Sequence, residues 1–263
     1  MWQGKRARAV LFVALRSDML EWALRKGGRW DAQGSLPLPA DGGGMAGVAG
    51  ALRQLATRWG DGVASSPGEV RVVVADYWLR TATLPWNRAL QRDVEAAAYV
   101  QAQLAAAGHA LEPGDVVRHG DGLPGRPVLA VVYPVALWAA LADLQRELGA
   151  AVTSVLPCSV LAWTCLPRRG WLQPAMLGVS DGVLAMLLRG AGSELQEVTV
   201  RQGGKPMVTI LRQRALMREA GAVAAAELPV VDLAPGEPVP AHSGQHVIWP
   251  RHPAAAASHT ATP

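Results

Sequence analysis

The chain has 263 residues, half of them apolar, with 25 cations against 21 anions and a formal net charge of +4. That apolar share excludes an intrinsically disordered protein, and the length is ample for a buried core in one large domain or two small ones. Only Lys5, Lys26 and Lys205 are lysines among the cations, and the aromatics are ten Trp, three Tyr and the single Phe12. With Ala, Arg, Gly and Pro dominant, this skew reads as a GC-rich coding bias, so the basic balance does not by itself point to nucleic acid. Cys158 and Cys165 form neither a disulfide framework nor a zinc or CxxC redox pattern, which fits a reducing compartment.

From the N-terminus, Lys5, Arg6 and Arg8 followed by Ala9 to Leu15 mimic a signal peptide. The apolar run stops at Arg16-Ser17-Asp18 without a small-residue cleavage site, so Val10 to Leu15 is predicted to be a strand. Met19 to Leu24 is its hairpin partner, and Lys26-Gly27-Gly28-Arg29 turns into a third extended stretch ending at Pro39. Residues 45–59 form a helix, Val70 to Ala75 a buried strand, and Leu79 to Leu84 an alternating one. Asn87 is predicted to cap a helix running to Gly108. Val116-Val117 and Val128 to Tyr133 are strands flanking a Gly/Pro loop. Pro134 opens a helix that sets Leu137, Leu141, Leu144 and Leu148 on one face and ends at Gly149.

Residues Leu148 to Pro167 carry no charge over 20 positions, the length of a bilayer span. Pro157 divides the stretch and polar residues interrupt it, so a strand over 151–156 and a short helix are expected, with a transmembrane segment as the alternative. Three strands follow (175–179, 183–188, 195–200), then a basic helix at 207–220 and a last strand at 229–233. From Ala234 on, six Pro, four His and an Ala run make a tail that cannot build a core. Both halves open with three meandering strands and a helix, and alternating strands and helices imply an α/β fold.

Two motifs satisfy functional patterns only formally. Gly42-Gly43-Gly44-Met45-Ala46-Gly47 matches GxGxxG, but Pro37-Leu38-Pro39 before it is no central strand, and a loop is expected. Gly178-Val179-Ser180-Asp181-Gly182 matches the GxSxG nucleophile elbow, with Asp232 and His242 or His246 following in hydrolase order. Asp181-Gly182 between two apolar runs is a hairpin signal, so a serine hydrolase using Ser180 stands as an alternative reading. His109, His119, Asp115 and Asp121 are read as solvated loop positions, Asp143 and Glu147 as an outer helix face, and Cys158 and Cys165 as inert core residues. Arg201, Lys205, Arg212, Arg214 and Arg218 form a basic stretch able to face phosphates or an anionic bilayer, with a solvated helix face as the default. Walker A and HExxH motifs are absent.

Val72-Val73-Val74-Ala75-Asp76-Tyr77-Trp78-Leu79-Arg80 running into Leu84-Pro85-Trp86, the helix with Glu95-Ala96-Ala97-Ala98-Tyr99, Val131-Val132-Tyr133-Pro134 and Ala151 to Pro157 carry a resemblance. Over Val70 to Leu166 the chain resembles PilM-type proteins of bacterial type IV pilus assembly and the cytoplasmic domain of GspL-type secretion proteins. The resemblance implies an actin-like (ribonuclease H-like) two-half fold. Residues 1–166 would form the first half, with a small subdomain inserted at about 79–127; residues 167–233 would form a shortened second half, and 234–263 a disordered tail. It implies a non-catalytic cytoplasmic scaffold at the inner membrane, without a span of its own and without nucleic acid. Its partner would be the cytoplasmic segment of a bitopic inner-membrane assembly protein, and a secretion or pilus ATPase could also dock. The partner groove would involve Trp78, Leu84, Trp86 and Tyr99.

The family's ATPase relatives carry an acidic DxG-type phosphate hairpin at the start of each half. Here Ala14-Leu15-Arg16-Ser17-Asp18 and Val179-Ser180-Asp181-Gly182 do not match it, and Gly203-Gly204 precedes the helix that an adenosine-binding glycine pair would follow. No cofactor is therefore expected, ATP with Mg²⁺ being the alternative that an active ATPase would require.

Overall fold

The computed structural model describes residues 9–39, 44–60, 66–109, 111–120, 124–165, 176–180, 183–191, 194–218 and 230–232. The chain divides into two compact units. The first is made of Met1–Arg80, Gly108–Arg118 and Val131–Cys158, and the second of Thr81–Ala107, His119–Ala130 and Ser159–Pro263.

The first unit is built on a five-stranded sheet. Strands β1 (Val10–Leu15), β2 (Met19–Lys26) and β3 (Arg29–Pro37) form an antiparallel meander. Strands β4 (Glu69–Val74) and β8 (Ala151–Pro157) add in parallel beside β1, giving the order β3-β2-β1-β4-β8. Period-two alternation puts Leu11, Val13 and Leu15 of β1, Leu20, Trp22 and Leu24 of β2 and Val70, Val72 and Val74 of β4 in the core. Helix α1 (Gly44–Gly60) buries Val48, Leu52, Leu55, Ala56 and Trp59 at helical spacing and packs on α3 (Val135–Leu148). The Trp22 and Trp59 rings meet edge to face, centroids 4.9 Å apart, which accounts for two of the ten tryptophans. Helix α3 buries Leu137, Leu141, Leu144 and Leu148 as its spacing predicts, and ends at Gly149 in the left-handed conformation, φ 62°.

The second unit repeats the pattern. Strands β9 (Met176–Ser180), β10 (Leu184–Ala191) and β11 (Glu194–Gln202) form an antiparallel meander, and β12 (Val230–Asp232) lies parallel to β9, giving β11-β10-β9-β12. Helix α5 (Gly204–Arg218) packs Val208 and Leu211 on Met176, Ala185 and Leu187. It begins three residues before the expected 207, and residues 219–220 lie outside the described residues. The remaining strands, β5 (Arg80–Leu84), β6 (Val116–His119) and β7 (Val128–Tyr133), make a three-stranded sheet in the order β5-β7-β6, with the central β7 buried along its whole length.

Two expectations are corrected. Asn87 does not cap the long helix: its side chain accepts from Ala89 N at 2.9 Å and caps a single 3₁₀ turn, Arg88–Gln91, before α2 (Asp93–Ala106) starts. The reason is local, because a side chain that close satisfies an orphan amide without committing the next turn to α geometry. Asp115 is not solvated: its carboxylate is only 2% exposed. It accepts from Glu112 N and Val135 N, each at 3.0 Å, and pairs with the Arg80 guanidinium.

The uncharged 148–167 stretch contains β8, inside the parallel part of the first sheet, and α4 (Cys158–Cys165), a helix of eight residues. Among the described residues no helix is long and apolar enough to cross a membrane. Gly42 and Gly43 of the GxGxxG stretch, Asp121, Asp181, Gly182, His242, His246 and the tail from Ala234 lie outside the described residues, although Gly44 does open α1.

Candidate functional site

In open α/β sheets ligands sit beyond the carboxyl ends of the parallel strands. At that end of the first unit, β1 delivers Arg16 and β4 delivers Asp76, each only 4% exposed, as buried charged groups. The chain turns tightly after β1, with Arg16 N–H donating to Met19 O at 2.9 Å. The Arg16 guanidinium contacts Glu21 Oε2 at 3.4 Å. The Arg16 carbonyl accepts the indole N–H of Trp78 at 2.7 Å, from the 3₁₀ turn Asp76–Trp78 that follows β4. Tyr133, at the end of β7, is buried nearby, and its hydroxyl is pushed from its ordinary value of 10 up to about 12. Burial is the main cause and the Asp76 charge adds to it, with Arg118 pulling the other way. The hairpin that would cradle a phosphate thus carries a cation, and its Arg16 peptide groups are hydrogen-bonded within the protein.

The corresponding hairpin of the second unit joins β9 to β10. Ser180 is 1% exposed and sits opposite Ala185 in the antiparallel ladder. A nucleophile elbow needs a strand, a strained turn and then a helix, with the hydroxyl at the surface. Here an antiparallel strand follows, so the GxSxG match is a hairpin sequence. Nor do the described residues contain a group of three or more His, Cys, Asp or Glu able to hold a metal ion. His119 stays local, its Nδ1 lying 2.9 Å from Gly120 O. Cys158 is buried, and Asp143 is ion-paired to Arg146 at 2.5 Å on the outer face of α3.

The four residues expected at a partner groove divide between the units. Trp78 belongs to the first unit, half-buried and packed edge to face on the exposed Tyr77 at 4.7 Å. Leu84, Trp86 and Tyr99 belong to the second. There the Tyr99 hydroxyl donates to Pro85 O at 2.7 Å, which ties α2 to the segment between Leu84 and Trp86. Leu84 is buried, whereas Trp86 and Tyr99 are half-buried. The Trp86 indole N–H is shielded from solvent and has no hydrogen-bond partner among the described residues. Asp115 was read from the sequence as a solvated loop position, since an isolated Asp in a loop gives no sign of which distant amides it will reach.

Two sheets, each ordered third-second-first-fourth with a parallel fourth strand, define an actin-like fold of the ribonuclease H-like type. No family model and no curated protein matches the sequence. Solved structures do match the fold. One is the cytoplasmic domain of EpsL, an inner-membrane component of the Vibrio cholerae type II secretion system, with TM-score 0.55, 14% identity, and coverage of 91% of this chain and 85% of that one. A second is the PilM–PilN type IV pilus biogenesis complex, with TM-score 0.58, 15% identity, and coverage of 88% and 82%. A third is a Bacteroides thetaiotaomicron protein with an actin-like ATPase fold and unknown function, with TM-score 0.56, 9% identity, and coverage of 90% and 86%. The fold likeness to the GspL and PilM types is thus as the sequence implied.

Proposed function

We propose that the protein is a non-catalytic scaffold of a type II secretion or type IV pilus assembly, working on the cytoplasmic face of the inner membrane. In this reading it binds the cytoplasmic peptide of a bitopic inner-membrane partner. The observation that carries it is the likeness of fold, over nine-tenths of the chain, to EpsL and to PilM in its complex with PilN. The peptide would dock beside Leu84, Trp86 and Tyr99 of the second unit. Half-buried aromatic rings supply large contact areas at small entropic cost, which suits them to peptide recognition. A secretion or pilus ATPase is a second possible partner of such a scaffold.

The reading includes no nucleotide chemistry. A Mg²⁺–phosphate site needs turn amides and a carboxylate facing the ligand. The first hairpin instead buries Arg16 against Glu21 and gives the Arg16 carbonyl to Trp78.

The test is fluorescence anisotropy with a labelled peptide from the cytoplasmic segment of a bitopic inner-membrane assembly protein of the same genome. Saturable binding that weakens at least tenfold in Trp86→Ala is the expected result. No binding by the wild type, or full binding by a folded Trp86→Ala, overturns the reading. Millimolar Mg-ATP is expected to leave the melting temperature unchanged. A ligand at a hundred times its Kd would add about 2.7 kcal/mol, and a shift of that size would reinstate the ATPase.

A further inference from the structure

We propose that the tip of the β2–β3 hairpin is a docking surface for an anionic lipid bilayer. Arg25, Lys26, Gly27, Gly28, Arg29 and Trp30 are all exposed. Gly27 and Gly28 take positive φ, 55° and 85°, and a Cβ on either would meet nothing within 4 Å. The turn is therefore tight and stands in open space, with Lys26 and Arg29 facing each other across it. Between positions 25 and 31 the sequence places three cations and one acid, Asp31.

Trp30 gives the tip an apolar element. It is 42% exposed. It is also held in place. Arg25 lies 5.9 Å over the Trp30 ring, Phe12 packs edge-on to it at 5.6 Å, and Arg71 lies 5.9 Å over Phe12. A fixed indole with a guanidinium over it, at a tip that also exposes Lys26 and Arg29, matches the bilayer interface. There the indole settles at headgroup depth, and Lys and Arg reach anionic phosphates while their stems stay in the apolar layer.

The covered ring faces select this occupant over a nucleic acid. A single-stranded base needs an open aromatic face to stack on, whereas here guanidinium groups already lie over both Phe12 and Trp30.

The experiment is co-sedimentation of the full chain with vesicles, either pure phosphatidylcholine or phosphatidylcholine with one-third phosphatidylglycerol. These vesicles contain no protein, so the outcome is independent of the partner peptide proposed above. The wild type is expected to sediment with the anionic vesicles and not with the neutral ones, and to be released by 0.5 M salt, roughly a Debye length of 4 Å. Lys26→Glu/Arg29→Glu is expected to lose at least tenfold in apparent affinity, and Trp30→Ala several-fold, both with unchanged melting curves. Equal sedimentation with both vesicle types overturns the proposal, as does full binding by the charge-reversed protein. If the wild type ignores vesicles and retards a single-stranded oligonucleotide, the occupant is nucleic acid and the proposal is likewise overturned.

Discussion

The Asp115 carboxylate caps helix α3 from outside it: Oδ1 accepts from Val135 N at 3.0 Å across 20 residues of chain. The residue before α3 is Pro134, which has no side-chain acceptor to offer the first turn. Asp115 supplies that acceptor, and its other oxygen holds Glu112 N and the Arg80 guanidinium. One buried group thus fixes the start of α3, the loop before β6 and the start of β5. Asp115→Ala leaves two amides and a partly buried cation without it, and is expected to cost about 2–4 kcal/mol. Asp115→Asn retains an acceptor and should lose less. Urea unfolding measures both, and a midpoint for Asp115→Ala equal to the wild type would show that the cap contributes nothing.

Tyr133 carries a pH dependence of defined sign. Its pKa is raised from 10 to about 12 in the fold, so the unfolded chain gives up this proton first as pH rises. Stability from this group is complete below pH 10 and declines as pH climbs toward 12, by no more than ~3 kcal/mol. Tyr133→Phe should flatten that part of the curve. It removes only a long hydrogen bond to Val155 O, 3.4 Å, and should cost under about 1 kcal/mol at neutral pH. Denaturation at stepped pH, with absorbance at 295 nm to follow phenolate formation, is the check. Parallel curves for the two proteins above pH 10 would refute it.

Trp78 and Trp86 should respond differently to the same change. Trp78 donates its indole N–H to Arg16 O, whereas Trp86 has no such bond among the described residues. Trp78→Phe is expected to lose about 1 kcal/mol, and Trp86→Phe to retain wild-type stability or gain slightly by removing a buried unpaired donor. Chemical denaturation of the two variants decides this. Equal losses in both would mean that ring packing alone sets the outcome.

Gly190 sits where β10 bulges against β11, at the register shift between Arg189 and Gly190. A Cβ there would overlap the Glu194 carbonyl oxygen and come within 2.7 Å of the buried Trp163 ring. A backbone oxygen cannot step aside as a side chain can, so Gly190→Ala should cost about 2–4 kcal/mol. Thermal unfolding of this variant beside Gly50→Ala, whose Cβ would meet nothing within 4 Å, is the comparison. A stable Gly190→Ala would count against the close approach.

Periodicity alone placed most of the elements. The alternation of Leu11, Val13 and Leu15, the four-residue spacing of Leu137, Leu141, Leu144 and Leu148, and the turn glycines are local signals, because burial acts on each residue through its own position on a strand or helix. The uncharged 148–167 stretch also resolved correctly, since Pro157 marks the boundary where β8 gives way to α4. The break after Asn87 was not visible in this way: a 3₁₀ turn and an α-helical turn share the same capping residue and differ in whether the backbone amides bond back three residues, as Leu90 N does to Asn87 O, or four.

The partner residues Leu84, Trp86 and Tyr99 could be nominated from the sequence, but not the bond between the Tyr99 hydroxyl and the Pro85 carbonyl. Sequence by itself determined the strand and helix content, the repeated opening of the two halves and the cation in the first hairpin. These follow from side-chain chemistry read within a few residues. Only the tertiary structure decided that Asp115 is a buried cap, that burial, with the Asp76 charge adding to it, raises the pKa of Tyr133, and that Phe12 and Trp30 meet on the sheet beside a basic hairpin tip. Each depends on strands and loops distant in sequence arriving side by side, and no local pattern encodes which distant partner a buried carboxylate or an aromatic ring will meet.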